Sequence, residues 1–167
     1  MGGVPPRLLL QAGADGRHDR FPMQEAAPFH NVACHCGTVR LRLRLTDGFA
    51  TARRCSCSYC RMRGAVAVSA ALEDVEVVAG GDNLTLYQFN SRTAKHYFCK
   101  TCGIYTHHQR RSNPRQFGIN VACIEGVSPF DFAEVAVMDG VRHPSDSGQG
   151  SRMIGVLRFT PEGSTKG

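Results

Sequence analysis

The sequence predicts an all-β domain built from many short strands. Apolar and polar residues alternate in several short runs, which is the pattern of a strand with one buried face. Turn signals separate most of these runs: Gly80-Gly81-Asp82-Asn83, Glu125-Gly126 and Asp139-Gly140. No segment carries a long amphipathic helical pattern. These observations favour a β-sandwich or barrel-like domain with a few short helical turns.

The clearest predicted strand covers residues 39–45, where Val39, Leu41, Leu43 and Leu45 alternate with arginines. This period of two gives the strand one apolar face and one basic face. Weaker runs predict further strands, in chain order, at residues 65–71, 75–78, 84–89, 95–98, 117–121, 134–137 and 153–159. Helical turns are expected near residues 57–63 and 128–132.

The chain length of 167 residues suits a single domain with a proper core. Residues 1–27 contain scattered glycines and prolines among polar residues, without sustained periodicity, so we predict a flexible N-terminal extension there. The alternative is an extension that wraps the domain or completes a dimer. The folded domain is expected over residues 28–160, followed by a C-terminal tail over residues 161–167.

Charge and hydropathy restrict the class of protein only in part. Twenty Lys and Arg against fourteen Asp and Glu give a formal net charge of +6, which would attract nucleic acid, acidic membranes or small anionic substrates. The basic run from Arg110 to Arg115 is interpreted as a solvated loop without a nucleic-acid role. No stretch approaches the roughly 18 apolar residues of a membrane span, and no signal peptide is recognisable. A soluble, cytoplasmic protein is therefore expected.

Seven of the eight cysteines fall into three short clusters, and their spacing is typical of metal ligands. They are Cys34 and Cys36, then Cys55, Cys57 and Cys60, then Cys99 and Cys102. Two thiolates separated by one or two residues on a tight turn can reach one tetrahedral zinc ion at about 2.3 Å. Gly37 and Gly103 follow the first and third clusters directly, and glycine permits the left-handed backbone that such turns often need.

One economical arrangement joins the two glycine-flanked pairs into a closed site of four cysteines. The middle cluster then remains, with three cysteines within six residues, close enough to bind a second ion and leave one position for water or substrate. This is the difference between a structural and a catalytic zinc site. Four arginines flank the middle cluster and either receive an anionic substrate or merely neutralise the thiolates: Arg53, Arg54, Arg61 and Arg63.

Two other interpretations of the cysteines are less consistent with the sequence. A disulfide scaffold is not expected without a secretory signal, and the two cysteines of a Cys-x-Cys pair are awkward disulfide partners. An iron–sulfur cluster would require different spacings from those between the three clusters. The eighth cysteine, Cys123, lies in an apolar run and is interpreted as a buried structural thiol.

Five motifs resemble those of one known family, which comprises the glutathione-dependent formaldehyde-activating enzymes and centromere protein V. The resemblance extends from about residue 30 to residue 145. The motifs are Cys34-His35-Cys36-Gly37, Cys55-x-Cys57-x-x-Cys60, His96-Tyr97-Phe98-Cys99-x-x-Cys102-Gly103, Gly118-Ile119-Asn120-Val121 and Asp139-Gly140-x-x-His143-Pro144.

The resemblance implies a β-tent fold, with two zinc ions per chain. It places a structural ion at Cys34, Cys36, Cys99 and Cys102, and a catalytic ion at Cys55, Cys57 and Cys60. It further implies a carbon–sulfur lyase that, in reverse, joins formaldehyde to glutathione as S-hydroxymethylglutathione. His96, His107 and His108 are considered as proton relays, although each is better explained as a strand residue or hydrogen-bond partner.

Two hypotheses of function follow. The first is a zinc-dependent enzyme acting on a thiol–aldehyde adduct, whose partners are a small thiol such as glutathione and an aldehyde. The second is a non-enzymatic zinc module that binds a protein or nucleic acid through the basic strand face at Arg40, Arg42 and Arg44. The enzyme hypothesis ranks first. A membrane is not an expected partner, nor is nucleic acid under the first hypothesis, and a homodimer is left open.

Overall fold

The computed structural model describes residues 28–163, and over this range the protein is mainly β. The strands are β1 Phe29–Ala33, β2 Arg40–Arg44, β3 Arg53–Cys55, β4 Ala67–Ala71, β5 Val75–Ala79, β6 Leu84–Tyr87, β7 Lys95–Cys99, β8 Tyr105–Gln109, β9 Gln116–Asn120, β10 Glu134–Met138 and β11 Met153–Arg158. The two α-helices of this range are short: α1 Ser58–Arg63 and α2 Pro144–Ser147. The predicted all-β class with short helical turns is confirmed.

The strands form two sheets. The smaller has three strands in the order β1-β2-β5, and the larger has eight in the order β11-β10-β3-β4-β9-β8-β7-β6. Neighbouring strands are antiparallel except β3 and β10, which run parallel with Cys55 opposite Met138. That parallel pairing brings the chain that follows β10 to the end of β3, where the middle cysteine cluster begins.

One cluster of buried apolar side chains joins the two sheets. From the smaller sheet it takes Val32, Leu41 and Leu43, which are at most 2% exposed, and from the larger sheet it takes residues such as Val68 and Ile119, which are fully buried. Burying each of these side chains stabilises the fold by about 2 kcal/mol. The alternation predicted for residues 39–45 is therefore real, since its leucines face this core while its arginines face outward.

Three strands lie where the residue pattern predicted none. β1 and β3 are short or contain polar residues, and β8 carries Thr106, His107 and His108 in succession. Thr106 and His107 are buried nonetheless and His108 is partly buried, because β8 lies between β7 and β9 and each polar group finds a local partner. Tertiary context therefore overrides the residue preferences at this strand.

Two predicted segments extend beyond the described part of the chain. The flexible extension over residues 1–27 lies outside the described residues, and so do the last four residues of the predicted tail. Within residues 28–163 no helix is long and apolar enough to cross a membrane. β11 is one of the two edge strands of the large sheet, and all six of its residues are exposed.

Candidate metal centres

The first cysteine group is assembled from the two glycine-flanked turns. Cys34 and Cys36 lie between β1 and β2, whereas Cys99 ends β7 and Cys102 lies in the turn before β8. The backbone N–H of Gly37 donates to Cys34 O at 2.9 Å, and that of Gly103 donates to Cys99 O at 2.8 Å. The backbone angle φ is +74° at Gly37 and +73° at Gly103. The left-handed turns expected from the sequence are therefore present at both sites.

The geometry of this group fits a tetrahedral metal ion. The four sulfurs lie within 4.8 Å of one another, and Cys36 Sγ is 3.5 Å from Cys34 Sγ and 3.6 Å from Cys99 Sγ. Sulfurs bound at about 2.3 Å to tetrahedral zinc stand about 3.8 Å apart. Two N–H groups also point at the sulfurs, from Val39 N to Cys34 at 3.3 Å and from Asn83 Nδ2 to Cys99 at 3.1 Å, as ligated thiolates require.

The second group contains Cys55, Cys57 and Cys60, whose sulfurs also lie within 4.8 Å of one another. Cys55 ends β3, and Cys57 is the N-cap of α1, where its sulfur accepts from Cys60 N at 3.4 Å. Cys60 lies one turn into the helix and is buried. A strand end followed at once by a capped helix turn therefore folds six residues into three convergent ligands.

The crowding of the three sulfurs in the second group favours a cation among them. Hydrogen bonding to Cys55 and Cys60 lowers the pKa of the Cys57 thiol. Contact with Cys55 and Cys57, together with burial, raises the pKa of the Cys60 thiol far above its usual range. Three sulfurs this close cannot all ionise side by side unless a positive ion stands among them. The donor set and its crowding fit a bound metal ion.

A loop after β10 packs against this second group through Gly140. A Cβ at position 140 would overlap Cys55 Sγ and stand 2.7 Å from Cys57 N. The loop is fixed by Gly140 N donating to Ser56 Oγ at 3.0 Å and Ser56 N donating to Met138 O at 3.0 Å. Only glycine permits so close an approach. The sequence indicated only a turn at Asp139-Gly140. In the structure, the absence of a side chain at Gly140 lets the loop pack against Cys55 and Cys57.

The second group opens into a cavity of about 530 Å³, whereas the first group does not line it. Its walls combine the three cysteines with basic side chains and a few carboxylates. The charged and titratable residues on these walls are Arg53, Arg54, Arg63, Arg110, Arg111, His96, His108, His143, Asp139 and Asp146. This volume is within the range of small-molecule sites. Of the two cysteine groups, only the second therefore lies beside this cavity.

Arg63 connects the second group to a buried polar network. Its Nη2 donates to Cys60 Sγ at 3.5 Å and its Nη1 lies 3.1 Å from His96 Nδ1. The guanidinium also lies over the ring of Tyr105, with Cζ 3.4 Å from the ring centroid. Burial, with the charge of Arg63, lowers the pKa of His96 to about 4, so this imidazole is neutral and accepts from Arg63.

His108 continues this network into the sheet. It stacks on His96 with ring centroids 5.2 Å apart, and its Nδ1 lies 2.5 Å from the Tyr105 hydroxyl. Burial lowers the pKa of His108 well below its ordinary value. Gly118 leaves the space that the ring occupies, because a Cβ there would stand 2.8 Å from His108 Nδ1. Both histidines are therefore fixed neutral groups on the cavity wall.

Several sequence-based expectations about single residues need correction. Arg110 does not lie in a solvated loop, because its side chain is 6% exposed and lines the cavity. Arg61 is exposed and lies outside the cavity, unlike Arg53, Arg54 and Arg63. His107 faces away from it, against Tyr97 and Phe117.

Cys123 is buried and lies outside both metal-ligand groups, as predicted. Burial raises the pKa of its thiol to about 12.

Sequence reasoning missed three residues of this site. Gly140, His143 and Arg110 were noted only as parts of a turn signal, a family motif and a basic run. The Asp139-Gly140-x-x-His143 motif could have indicated the first two, since it combines a glycine with a titratable side chain. The sequence carries no signal for Arg110, because only the sheet brings it to the cavity.

The fold and the two cysteine groups define a class of β-rich proteins with two sites able to hold a metal ion. The family model described as glutathione-dependent formaldehyde-activating enzyme matches residues 29–136, and the chain belongs to this family. Among solved structures, it is similar to the crystal structure of a Rhodobacter sphaeroides protein, a structural genomics target, at 62% sequence identity. That match covers 64% of this chain and 98% of the other, with a TM-score of 0.63.

Proposed function

We propose that this protein is a cytoplasmic, zinc-dependent carbon–sulfur lyase that joins a thiol to formaldehyde and releases them again. With glutathione as the thiol, the adduct is S-hydroxymethylglutathione. The observation that carries this proposal is the cavity of about 530 Å³ into which three cysteines converge while a separate group of four stays outside it. Membership of the formaldehyde-activating family supports the same reaction.

Two zinc ions per chain are proposed, one for each cysteine group. Cys34, Cys36, Cys99 and Cys102 would hold a structural ion, and Cys55, Cys57 and Cys60 a catalytic one. At the catalytic position zinc supplies Lewis acidity and stabilises a substrate thiolate at neutral pH. Three cysteine ligands leave one tetrahedral position for exchange, whereas four leave none.

The reaction itself is balanced by a single proton transfer. A carbon–sulfur bond forms between the thiol and the carbonyl carbon as the carbonyl π bond breaks, and the proton from the broken S–H bond ends on the former carbonyl oxygen. The chain must therefore hold the thiol and carry one proton. Arg63, which contacts Cys60, keeps a positive charge beside the thiolates and so favours an anionic sulfur.

His143 is proposed as the proton carrier at the rim of the cavity. Its Nδ1 accepts from Ser145 N at 3.1 Å, which leaves Nε2 for exchange with substrate or water. His96 and His108 are less suitable, since the pKa of each is lowered and both rings are fixed as neutral groups by their contacts with Arg63 and Tyr105. Rate enhancement by such a group is typically about 10² to 10⁴-fold.

The alternative of a non-enzymatic module that binds a partner through the basic strand face has less support. Arg42 and Arg44 both stack on the ring of Phe29, with Cζ atoms 4.0 and 3.9 Å from its centroid. Arg40 donates to Gly37 O at 3.0 Å. These guanidinium groups have partners within the chain and thus a structural explanation.

The proposal is tested by following ¹³C-formaldehyde and glutathione by exchange NMR, because the spontaneous reaction is measured in the same buffer. Freshly purified protein with zinc at two ions per chain should accelerate exchange about tenfold or more over buffer. Cys57→Ser should return the rate to the spontaneous value while the protein stays folded, since Ser also caps a helix well. An unaccelerated exchange with fully loaded protein would refute the proposal.

Cys123→Ala is the matched control for loss of a cysteine. It removes a buried thiol that belongs to neither metal-ligand group. Its exchange rate and zinc content should equal those of the wild type. If Cys57→Ser were as active as Cys123→Ala, the middle cluster would have no catalytic role.

A further inference from the structure

Arg110 is a buried arginine on the wall of the cavity. It follows β8 directly and its backbone N–H donates to Gln116 O at 3.0 Å, which extends the pairing with β9. The side chain crosses the sheet to β4, where Nη2 lies 3.2 Å from Ser69 Oγ and 3.4 Å from Val68 O. These bonds fix the guanidinium in one place, with 6% of the residue exposed.

The guanidinium charge has no anionic partner among the described residues. No carboxylate of residues 28–163 forms an ion pair with Arg110, and its Nε is buried without a hydrogen-bond acceptor. The two carboxylates on the cavity wall are already engaged elsewhere. Asp146 pairs with Arg111, and Asp139 accepts from Arg152 at 2.9 Å and from two backbone N–H groups.

An unpaired buried charge of this kind is costly. Arginine stays protonated at any physiological pH, so it cannot lower the cost by losing its proton as a buried lysine does. The cysteines do not compensate for Arg110 directly, because the arginine in contact with their sulfurs is Arg63. An anion that enters the cavity and reaches Arg110 would remove the penalty and form charge-assisted hydrogen bonds.

The position of Arg110 relates this anion site to the cysteines. Arg110 and the three cysteines Cys55, Cys57 and Cys60 line the same cavity. Arg53 lines it too, and its strand position is opposite Ala67, next to the segment that Arg110 contacts. A molecule held at the cysteines by its sulfur can therefore present a second group to these guanidinium groups within one cavity.

We propose that Arg110 forms a carboxylate-binding subsite that selects acidic thiols for the three-cysteine site. This inference rests on the proposed function in taking a thiol as the substrate. It adds that the thiol must carry a carboxylate and that neutral thiols of the same size are poor ligands. Guanidinium and carboxylate match in shape and charge, which suits Arg for this role better than Lys.

Calorimetric binding tests the subsite without any turnover. The probes are S-methylglutathione, which keeps both carboxylates but has no thiol to add to formaldehyde, and its diethyl ester, which has no carboxylate. Wild-type protein should bind the acid about tenfold or more tightly than the ester. Arg110→Gln should weaken binding of the acid by a similar factor and leave binding of the ester unchanged.

Arg115→Gln serves as the control variant, since Arg115 belongs to the same basic run but is exposed and lies outside the cavity. It should bind both probes as the wild type does. The comparison of acid with ester on the wild type needs no variant, so it stands even if Arg110→Gln folds poorly.

Three results would overturn the subsite: equal binding of acid and ester by the wild type, no binding of the acid at millimolar concentration, or full affinity of a folded Arg110→Gln. None of them depends on formaldehyde. A protein that binds the acid through Arg110 but does not accelerate exchange would keep the subsite and refute the lyase proposal. A protein that accelerates exchange but binds acid and ester equally would keep the lyase proposal and refute the subsite.

Discussion

Gly140 lies in direct contact with Cys55, although 85 residues separate them in the chain. The contact exists because β10 runs parallel to β3, with Met138 opposite Cys55. The loop after β10 therefore folds over the three-cysteine group. A side chain at position 140 would force apart the loop and the backbone that positions Cys55 and Cys57.

Gly140→Ala should disturb the three-cysteine group alone. The added Cβ would meet Cys57 N at 2.7 Å, and backbone atoms cannot move aside as a flexible side chain does. We expect zinc content to fall from two ions per chain towards one, with melting little changed. Elemental analysis and thermal unfolding measure this. Gly150→Ala is the control, because nothing lies within 4 Å of a Cβ there; loss of zinc in both variants would contradict the prediction.

Cys99→Ser should unfold the protein, in contrast to Cys57→Ser. Cys99 is fully buried in the core cluster and belongs to the four-cysteine group. A structural zinc site contributes on the order of 10 kcal/mol, comparable with the whole stability of a domain. Far-UV circular dichroism and urea unfolding should show a folded Cys57→Ser and a largely unfolded Cys99→Ser. Equal loss of fold in the two variants would show that the groups do not differ in structural role.

Arg63→Gln should weaken metal binding at the three-cysteine group. The variant loses the contacts of Arg63 with Cys60 Sγ and His96 Nδ1 and so removes the positive charge that touches this sulfur. Loss of such a supporting partner costs about 10 to 100-fold in metal affinity. A colorimetric chelator should therefore remove one zinc ion per chain much faster than from the wild type. Arg61→Gln, an exposed change on the same helix, should behave as the wild type.

Protonation of His107 should lower the free energy of unfolding as the pH falls below neutrality. Burial lowers its pKa from 6.5 to about 4 in the folded protein, where it stacks on Tyr97 and lies 2.9 Å from Thr106 Oγ1. Between these two pH values the unfolded chain binds more protons, so the free energy of unfolding decreases as pH falls through this window. The full loss amounts to roughly 3 kcal/mol and is complete below about pH 4.

The comparison of wild type with His107→Gln isolates this contribution. Urea unfolding from pH 7 to pH 4 measures it, since acid protonation of the cysteine ligands affects both proteins alike. The difference between their unfolding free energies should change by roughly 3 kcal/mol over this range. A difference that stays constant with pH would show that His107 titrates in the folded protein as it does in the unfolded chain.

Local sequence patterns were sufficient for much of the fold. The alternation over residues 39–45 predicted β2, and similar runs predicted β4, β5, β6, β7, β9, β10 and β11 close to their observed bounds. The spacing of the cysteines and the glycines after Cys36 and Cys102 predicted both groups and their turns. Each of these features depends on residues near one another in the chain, which is why the sequence expresses them directly.

Local patterns predicted neither strand β8 nor the place of Arg110 on the cavity wall, and the physical reason is the same for both. Thr106 and His107 are buried only because neighbouring strands cover them, and Arg110 reaches the cavity only because its side chain crosses the sheet to Ser69. Residue preference and period describe a segment by itself. They carry no information on the strand that will lie next to it.

By itself the sequence determined the strand-rich class, the partition of seven cysteines into two sets and the buried state of the eighth. The tertiary structure alone decided which set lies beside a cavity and which side chains surround it. That decision depends on the parallel pairing of β3 with β10, which brings Gly140 to Cys55, and on the strand order that brings Arg110 to the same wall. Contacts between distant segments are fixed by packing free energy, which no local pattern encodes.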